Sequence, residues 1–505
     1  MLMRRLALAA LLLLPGCAKR LQRRLVAPSD VASLDGRSPF LKAHLKSGAV
    51  VIFQKWKVSE LAQEVTGTGI RYDVDRLPGP RGLQLVPIAE VAIFETNVAK
   101  NSPSVGVLAV VSGLSAAVTV ACLANPKSCF GSCPTFYTEA GGAGPVLMAE
   151  GFSDSVAPSL EATDVDALWS ARPAGRRLTV TMTNEALETH VVRHVEVLAA
   201  ARAPGQRVLA MADGSYRVAH ALAAPVTCAD CLDAVRALDG EERVSTTDGV
   251  DLAAREDIDL EFAAPGAGPH ALVIGSRQTL LSTYVFYQAL AFVGDDIGAL
   301  LAALERRTPG GQRPDAGGVR ALLGTIEVQV PDGAGWRTVG RLGETGPLAT
   351  DVRALELPAG AGSRVRLHLA RGHWRLDWVA LASLGGTVTP VRVAPRRVLT
   401  DVARRGRGML TLPGDRVVFE FELPAGEPEL FLESRGYYLE WMREEWLRER
   451  NPARAAQLML APARALRDMA PAFRRLEPDM ERLFWRSRFR RGARLPSGPG
   501  VAVRP

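Results

Sequence analysis

The sequence has little excess charge of either sign. Its 505 residues include 61 Lys and Arg against 54 Asp and Glu, which leaves a net charge of +7. So small an excess does not predict a nucleic-acid-binding protein. Apolar residues make up 47% of the chain and charged residues 23%, which excludes a disordered or fibrous protein. At about 150 residues per domain, the length predicts about three domains.

Short motifs of common catalytic sites are also missing. The chain contains no G-x-S-x-G elbow, no phosphate-binding loop and no dinucleotide-binding glycine fingerprint. The paired carboxylates of glycoside hydrolases cannot be recognised in a sequence, because their separation in space defines them. No catalytic residue and no cofactor is therefore predicted.

The most informative segment is residues 1–17. Two arginines precede an unbroken apolar run at 6–14, which is too short to span a bilayer and is typical of a cleaved export signal. The following Leu14-Pro15-Gly16-Cys17 resembles the lipobox of bacterial lipoproteins. This resemblance implies that Cys17 is lipidated and anchors the protein to a membrane. The alternative is a plain secretory signal.

Export would place the other five cysteines in an oxidising compartment, where close pairs form disulfides. We expect the pairs Cys129–Cys133 and Cys228–Cys231, with Cys122 as a buried thiol, and a pairing of Cys122 with Cys129 stays open. A zinc site built from both pairs and a thioredoxin-like redox role for Cys228-Ala-Asp-Cys231 are disfavoured alternatives. Zinc ligand pairs usually lie closer in sequence, and the redox motif lacks its usual aromatic and proline-rich surroundings.

Alternation and turn residues predict a mainly β, multidomain fold. A linker at 18–36 leads into short strands over 37–100, with glycine and proline turns between them. The string LKAHLKSGAVVIFQKWKV in this region resembles an Sm-like small barrel. The resemblance implies the fold alone, because an exported copy would not meet the RNA that cytoplasmic members bind.

Residues 105–124 carry no charge, and their length suits a membrane span. Glycine, serine and threonine dilute their hydrophobicity, however, and Asn125-Pro126 ends the segment. A single span would also leave the paired cysteines in a reducing cytosol. We therefore expect a buried or surface-docked apolar helix over 104–126, with a true membrane span as the alternative.

The rest of the chain divides into four predicted regions. These are a central β-rich domain at 127–307 closed by a helix over 276–307, a β-sandwich or jelly-roll-like region at 319–434, a helical region at 435–492 and a flexible tail at 493–505. The second region resembles galactose-binding-like modules. Pro452, Pro462 and Pro471 are expected to separate the C-terminal helices.

Several strings together resemble a family of bacterial envelope lipoproteins. The most distinctive is Cys129-Phe-Gly-Ser-Cys-Pro-Thr-Phe-Tyr137, and others lie at 149–168, 182–190 and 430–441. The resemblance covers about residues 37 to 490. It implies an envelope location and a shared architecture, and it assigns no catalytic residue.

Two groups of residues could bind a metal. His190-Val-Val-Arg-His194 has the histidine spacing of a zinc-binding helix, but Val191 stands where the general-base Glu would follow, and the segment alternates as a strand. The acidic residues Glu150, Asp154, Glu161, Asp164 and Asp166 are of the type that Ca²⁺ prefers. They lack EF-hand or other loop spacing, and Asp164-Val-Asp166 is more typical of a turn or helix cap. No metal site is predicted.

Aromatic residues offer two further surfaces. Trp336, Trp374 and Trp378 could stack on sugar rings, although a core role is favoured, and Trp374 and Trp378 are expected on the same face of a strand. Residues 474–494 combine arginines with Phe484, Trp485 and Phe489. This composition suits an anionic membrane interface, with a solvated helix packed on the body as the favoured alternative.

The sequence therefore favours a non-catalytic envelope lipoprotein on the periplasmic or outer-membrane side, with a structural role or a protein or glycan partner and no nucleic acid. The first alternative is a membrane-associated assembly factor that uses 105–124 and the basic C-terminus. The weaker alternative is an envelope hydrolase with an unrecognised site.

Overall fold

The computed structural model describes residues 19–26, 28–38, 40–45, 49–59, 61–73, 79–101, 133–139, 145–153, 155, 161–186, 188–264, 266–293, 322–343, 346–400, 404–405, 408–412, 414–440 and 451–487. The chain forms two compact units, Met1–Ala124 and Asn125–Pro505. The predicted signal at 1–17, the apolar helix at 104–126 and the tail at 493–505 lie outside the described residues. Among the described helices, none is both long and apolar enough to cross a membrane.

The first unit contains one antiparallel sheet, sheet 1, with strand order β1-β6-β2-β3-β4-β5. Its strands are β1 (Lys19–Val26), β2 (Leu41–Leu45), β3 (Val50–Ser59), β4 (Glu64–Tyr72), β5 (Gly82–Pro87) and β6 (Val91–Asn101). Sheet 1 covers a core of fully buried residues that include Leu41, Phe53 and Phe94. A Cβ at Gly67 would lie 2.0 Å from the Lys55 carbonyl oxygen, so only glycine lets β4 approach β3 so closely.

The strands predicted for 37–100 are present, but the linker predicted at 18–36 is wrong in its first half. Residues 19–26 form β1, which pairs along its whole length with β6. The arginine-rich composition of this segment is typical of an edge strand, where charged side chains remain compatible with backbone pairing on one side.

The second unit is also mainly β. Its described strands are β7 (Thr135–Glu139), β8 (Pro145–Glu150), β9 (Ala162–Ala167), β10 (Arg177–Thr183), β11 (Glu188–Ala200), β12 (Arg207–Ala210), β13 (Tyr216–Ala223), β14 (Thr227–Cys228), β15 (Arg243–Val244), β16 (Arg255–Glu261), β17 (His270–Gln278), β18 (Ile326–Asp332), β19 (Gly335–Leu342), β20 (Asp351–Glu356), β21 (Arg364–Ala370), β22 (Trp374–Thr387), β23 (Val391–Val393), β24 (Arg397–Leu399), β25 (Arg404–Arg405), β26 (Gly408–Thr411), β27 (Arg416–Glu422) and β28 (Glu429–Glu440). The described helices are α1 (Leu281–Val293), α2 (Pro452–Leu460) and α3 (Pro462–Ser487).

These strands form four antiparallel sheets. Sheet 2 has the order β24-β27-β10-β7-β8, and sheet 3 has β25-β26-β11-β28-β9 with β23 also on β11. Sheet 4 has the order β12-β13-β22-β17-β20 with β15 on β22, and sheet 5 has β14-β16-β21-β18-β19. The predicted mainly β, multidomain fold with sandwich-like modules is confirmed.

The four sheets pack face to face in the order 2-3-4-5. Val180 of sheet 2 and Val197 of sheet 3 share one core, and Ile274 of sheet 4 and Leu367 of sheet 5 share another. Between them, Leu198 of sheet 3 and Ala380 of sheet 4 belong to a third core. Adjacent residues such as Val197 and Leu198 point to opposite faces of a strand, so both faces of the inner sheets are buried.

The sequence separates a central domain at 127–307 from a sandwich region at 319–434, but the structure joins them. Strand β10 pairs with β27, β11 pairs with β28, and β17 pairs with both β20 and β22. The boundary between the two predicted regions is therefore not a boundary between folding units. Strands such as β10 and β27 pair although they lie more than 200 residues apart, and such a pairing leaves no recognisable pattern in the sequence of either strand.

The boundaries of the described helices differ from the predicted ones. The helix predicted over 276–307 begins at Leu281, because β17 continues to Gln278, and residues 435–440 belong to β28. Proline stands at the first position of both α2 and α3, where its missing N–H costs no hydrogen bond. Pro471, expected to separate two helices, instead lies inside α3. Helix α3 packs on the body through Phe473, whose ring centroid lies 4.8 Å from that of Tyr284.

Candidate functional site

Three edge strands from three different sheets bring four carboxylates together. Glu150 ends β8 of sheet 2, Asp164 and Asp166 lie on β9 of sheet 3, and Asp351 begins β20 of sheet 4. With Arg353, also on β20, they line one cavity. We call these five residues the acidic cluster.

The alternation of β9 and β20 explains why the charged side chains share this cavity. Val165 and Ala167 pack in the core between sheets 3 and 4, as do Val352 and Ala354 on β20. Residues one position away on each strand point to the opposite side. Asp164 and Asp166, and likewise Asp351 and Arg353, are therefore turned away from the core and toward the cavity.

Backbone N–H groups hold three of the four carboxylates in place. Asp351 Oδ1 accepts hydrogen bonds from the amides of Val352 at 2.8 Å and Ala167 at 3.3 Å. Asp164 accepts from the amides of Phe152 at 3.0 Å and Val165 at 2.9 Å. These bonds fix the two carboxylates on different sheets.

Glu150 is held in the same way, since its Oε2 accepts from the Leu348 amide at 2.8 Å. Its Oε1 lies 3.0 Å from Cys133 Sγ. A Cβ at Gly346 would lie 2.1 Å from Glu150 Oε2. Only glycine at 346 leaves this carboxylate room beside the cavity.

Arg353 is the cation of the cluster. It donates a hydrogen bond from Nε to Asp351 Oδ2 and another to the Val165 carbonyl oxygen, and it lies 3.6 Å from Asp164 Oδ1. Asp351 raises the pKa of Arg353, so its guanidinium stays charged. Arg353 thereby offsets one of the four negative charges.

Asp166 differs from its neighbours because its Oδ2 is buried and has no hydrogen-bond partner. The residue is 6% exposed. Burial raises the pKa of Asp166 well above its ordinary value, and the nearby carboxylates of Asp164, Asp351 and Glu150 add to this shift. Burial likewise raises the pKa of Asp164 to about 6, against the opposing effect of Arg353.

The sequence anticipated part of this group. Of the five acidic residues singled out, Glu150, Asp164 and Asp166 do come together, and Asp154 lies outside the described residues. Glu161 instead pairs with Arg193 at 2.8 Å and Arg435 at 2.9 Å. The turn or helix cap predicted at Asp164-Val-Asp166 is wrong, since both residues lie on a strand. Asp351 and Arg353 were missed, because nothing local marks strand neighbours so far apart in sequence.

The histidine pair lies on a strand, as predicted, and not on a zinc-binding helix. His190 is buried, with Nε2 3.0 Å from Glu188 Oε1. His194 Nε2 lies 3.1 Å from Glu433 Oε1, and these two residues with Glu196 have ligand atoms within 4.8 Å of one another. Arg392 donates hydrogen bonds to both glutamates, so a guanidinium already serves those carboxylates.

Cys228 and Cys231 form a disulfide with a Cα–Cα distance of 5.4 Å, as predicted. Cys231 is 3% exposed and belongs to the core between sheets 4 and 5. Cys129 lies outside the described residues, so its pairing with Cys133 stays a prediction. Cys17, the predicted lipid attachment site, and Cys122 also lie outside them.

The three tryptophans have different environments. Trp374 is 1% exposed in the core between sheets 4 and 5, and Trp378 is 8% exposed in the core between sheets 3 and 4. The expectation that both face the same side is wrong, because a β-bulge in β22 lies between them. Trp336 is half-buried, and the Arg366 guanidinium lies 4.3 Å from its ring centroid. The Arg364 guanidinium also lies over this ring, 5.5 Å from the centroid, and of the three tryptophans Trp336 alone is only half-buried.

Part of the basic C-terminal stretch is described. Arg474 pairs with Glu477 at 3.2 Å, and Arg482 pairs with Asp479. The side chains of Phe484 and Trp485, and all of Phe489, lie outside the described part of the chain. A membrane contact by this stretch therefore stays a prediction.

Comparison with known proteins adds no assignment. No protein-family model matches the chain, and no curated protein matches it.

Proposed function

We propose that this protein is a bacterial envelope lipoprotein, anchored through a lipid on Cys17, with a binding or structural role and no catalytic one. The observation that supports an exported location is the Cys228–Cys231 disulfide. Disulfides persist in oxidising compartments such as the periplasm and are rare in the cytosol. The export signal and lipobox-like residues at 1–17 agree with this location.

A binding or structural role is supported by the layered architecture. Both faces of sheets 3 and 4 pack against neighbouring sheets, so the side chains on these faces belong to the hydrophobic cores. The outer face of sheet 5 carries charged side chains in cross-strand pairs, such as Arg366 with Asp257 at 3.0 Å and Asp259 at 2.6 Å. Such an open polar face with Trp336 upon it suits a glycan or an envelope protein as partner.

The lipid anchor is tested by fractionating cells that produce the wild type or Cys17→Ala, with metabolic acyl labelling. The wild type is expected in the membrane and labelled, and Cys17→Ala unlabelled and released in soluble form. Cys122→Ala, which removes another cysteine of the same half of the chain, should remain labelled and membrane-bound.

Two results would contradict the proposal. Equal labelling of Cys17→Ala and the wild type would show that the lipid is elsewhere or absent. Retention of unlabelled Cys17→Ala in the membrane after carbonate extraction would instead favour 105–124 as the anchor, and with it the assembly-factor alternative.

The partner is tested by glycan binding of the full-length protein in detergent, with peptidoglycan fragments and lipopolysaccharide as probes. Trp336→Ala is expected to weaken retention, because stacking on a sugar needs the aromatic face. Trp336→Phe should preserve it, and equal retention of all three proteins would remove Trp336 from the proposed surface.

A further inference from the structure

We propose that Glu150, Asp164, Asp166 and Asp351 bind one calcium ion, which ties together the edges of sheets 2, 3 and 4. This inference goes beyond the proposed envelope role and does not depend on the lipid anchor. It rests on the charge balance of the cluster, on one buried oxygen and on the chemistry of the ligands.

The charge balance is the first argument. Among the described residues that line the cavity, the carboxylates of Asp164, Asp166 and Asp351 face one guanidinium and Glu150 adds a fourth carboxylate, so negative groups outnumber positive ones in a largely buried setting. Glu150, Asp166 and Asp351 are each at most 6% exposed. Buried charges are costly unless they are paired or coordinate a metal. A divalent cation would offset most of this excess.

The second argument is the buried Oδ2 of Asp166, which has no hydrogen-bond partner. Most buried side-chain oxygens in folded proteins have one. Other buried atoms of the described residues also lack one, but among the carboxylates that line this cavity Asp166 alone contributes such an oxygen. Asp166 lines the cavity, which has room for about one water-sized sphere. A single ion fits that space and would supply the missing partner.

Ligand chemistry favours calcium. Ca²⁺ takes about six to eight oxygen ligands from carboxylates, carbonyls and water in flexible geometry, whereas Mg²⁺ demands a near-ideal octahedron. Backbone amides orient Glu150, Asp164 and Asp351, as hydrogen bonds to ligating carboxylates do in metal sites. Each carboxylate keeps further lone pairs for an ion, since its two oxygens offer about four acceptor positions.

The described geometry also shows what binding requires. Two groups of described residues have three ligand atoms within 4.8 Å of one another, and both lie outside the acidic cluster. They are Cys228-Asp230-Cys231 and His194-Glu196-Glu433. The acidic cluster is wider, so a bound ion must draw its carboxylates inward. The Asp164 side chain is 26% exposed, so we expect the ion to enter beside it.

A proton on Asp166 is the competing account of the same buried oxygen. Protonation lowers the negative charge by one but provides no link among the three sheets. The two accounts differ in calcium dependence, which makes them separable by experiment.

The test uses full-length protein in detergent, stripped with EDTA and dialysed at pH 7.5 in 100 mM KCl. Radioactive calcium in equilibrium dialysis should reveal one high-affinity ion per chain, and CaCl₂ should raise the thermal midpoint more than MgCl₂ at equal concentration. Asp166→Asn should weaken calcium binding at least about tenfold, in line with the loss that removal of a metal-site group causes. Glu161→Gln, an acid of the same sequence segment that lies on Arg193 and Arg435, should bind as the wild type does.

A second variant protects the test from a folding defect in Asp166→Asn. Gly346→Ala places a methyl group against the Glu150 carboxylate and should also weaken binding, while near-ultraviolet circular dichroism in EDTA reports whether each variant is folded. Absence of calcium binding by the wild type at millimolar CaCl₂ would overturn the proposal. Wild-type affinity in both folded variants, or a preference for Mg²⁺ over Ca²⁺, would also overturn it.

Discussion

Two buried charge clusters of the second unit join its layers in contrasting ways. In the acidic cluster, negative charge exceeds positive charge and one oxygen is unbonded. In the other, which we call the Arg–Glu cluster, Glu242, Arg277, Arg375 and Glu481 are balanced in number. Glu242 accepts from Arg277 through both oxygens, at 2.5 and 2.7 Å, and Arg375 reaches both Glu242 and Glu481. Through Glu481, this cluster links sheet 4 to α3.

The pKa values follow the difference in charge balance. Burial alone would raise the pKa of Glu242, but Arg277 and Arg375 hold it below its ordinary value. In the acidic cluster, burial raises the pKa values of Asp164 and Asp166 despite Arg353. In the Arg–Glu cluster the carboxylates are matched by arginines, whereas the acidic cluster has an excess of carboxylates that a proton or a cation would offset. We therefore assign the first to stability and the second to binding.

The largest effect is expected from Glu242→Ala. Removing this carboxylate leaves Arg277 buried beside a second arginine, and breaking a buried ion pair in this way costs about 3–5 kcal/mol. Urea unfolding should show the loss as a lower midpoint. Glu420→Ala, which removes the half-buried partner of the exposed Arg397, should change stability by less than about 1 kcal/mol. A similar small change for Glu242→Ala would contradict the comparison.

Arg353→Gln should have the next largest effect, because it removes the cation of the acidic cluster. In EDTA we expect a loss of about 2 kcal/mol, below the range for fully buried pairs since the Arg353 side chain is 30% exposed. Calcium should restore more stability to this variant than to the wild type. Equal calcium responses in urea unfolding would show that the cluster does not bind the ion.

Asp166→Asn should act in the opposite direction. At pH 7.5 in EDTA, the neutral amide removes repulsion and should stabilise the fold by on the order of 1 kcal/mol. Calcium should then stabilise the wild type more than the variant. Destabilisation of Asp166→Asn in EDTA would indicate that the ionised Asp166 makes a favourable contact, and the contrast with the Arg–Glu cluster would fail.

The last comparison concerns pH, and the sign of the effect differs between the clusters. The folded-state pKa of Asp164 is raised from 3.8 to about 6, so its contribution is present below about pH 4 and is lost as pH rises through about 6. Glu242 has a lowered pKa, so its contribution is present above about pH 4.5 and is lost as pH falls further.

Urea unfolding from pH 4 to 7 in EDTA tests this difference. The Asp164→Asn variant should lack the loss of stability between about pH 4 and 6 that the wild type shows, while Glu242→Gln should change the acidic side of the profile. The groups that face Asp164 in this range are Asp166, Asp351, Arg353 and Glu150. Identical profiles for Asp164→Asn and the wild type would remove Asp164 from the explanation.

The sequence indicated the fold class because strand alternation and turn residues are local properties. It also indicated the Cys228–Cys231 disulfide, since two cysteines three residues apart are near each other in any conformation. Asp164 and Asp166 could be grouped with Glu150 because all three lie in one short, acid-rich stretch of the sequence. Asp351 could not, because its position beside Ala167 arises from the stacking of sheets whose pairings span hundreds of residues. The β1 strand was missed because its stability comes from pairing with β6 and not from its own composition.

The bulge in β22 has a consequence for tolerance of insertions and deletions. Gly275 of β17 pairs with Trp378 of β22, and Ser276 pairs with Leu376. Asp377 is therefore an additional residue in β22 at this point. Before it, even-numbered residues face sheet 5, and after it, Val379 and Leu381 do so while Ala380 and Ala382 face sheet 3. Deleting residue 377 would exchange these two sets and force leucine and valine into the positions that Ala380 and Ala382 occupy. One residue added or removed at this bulge would therefore change which side chains of β22 face sheet 3 and which face sheet 5, even with every other residue unchanged.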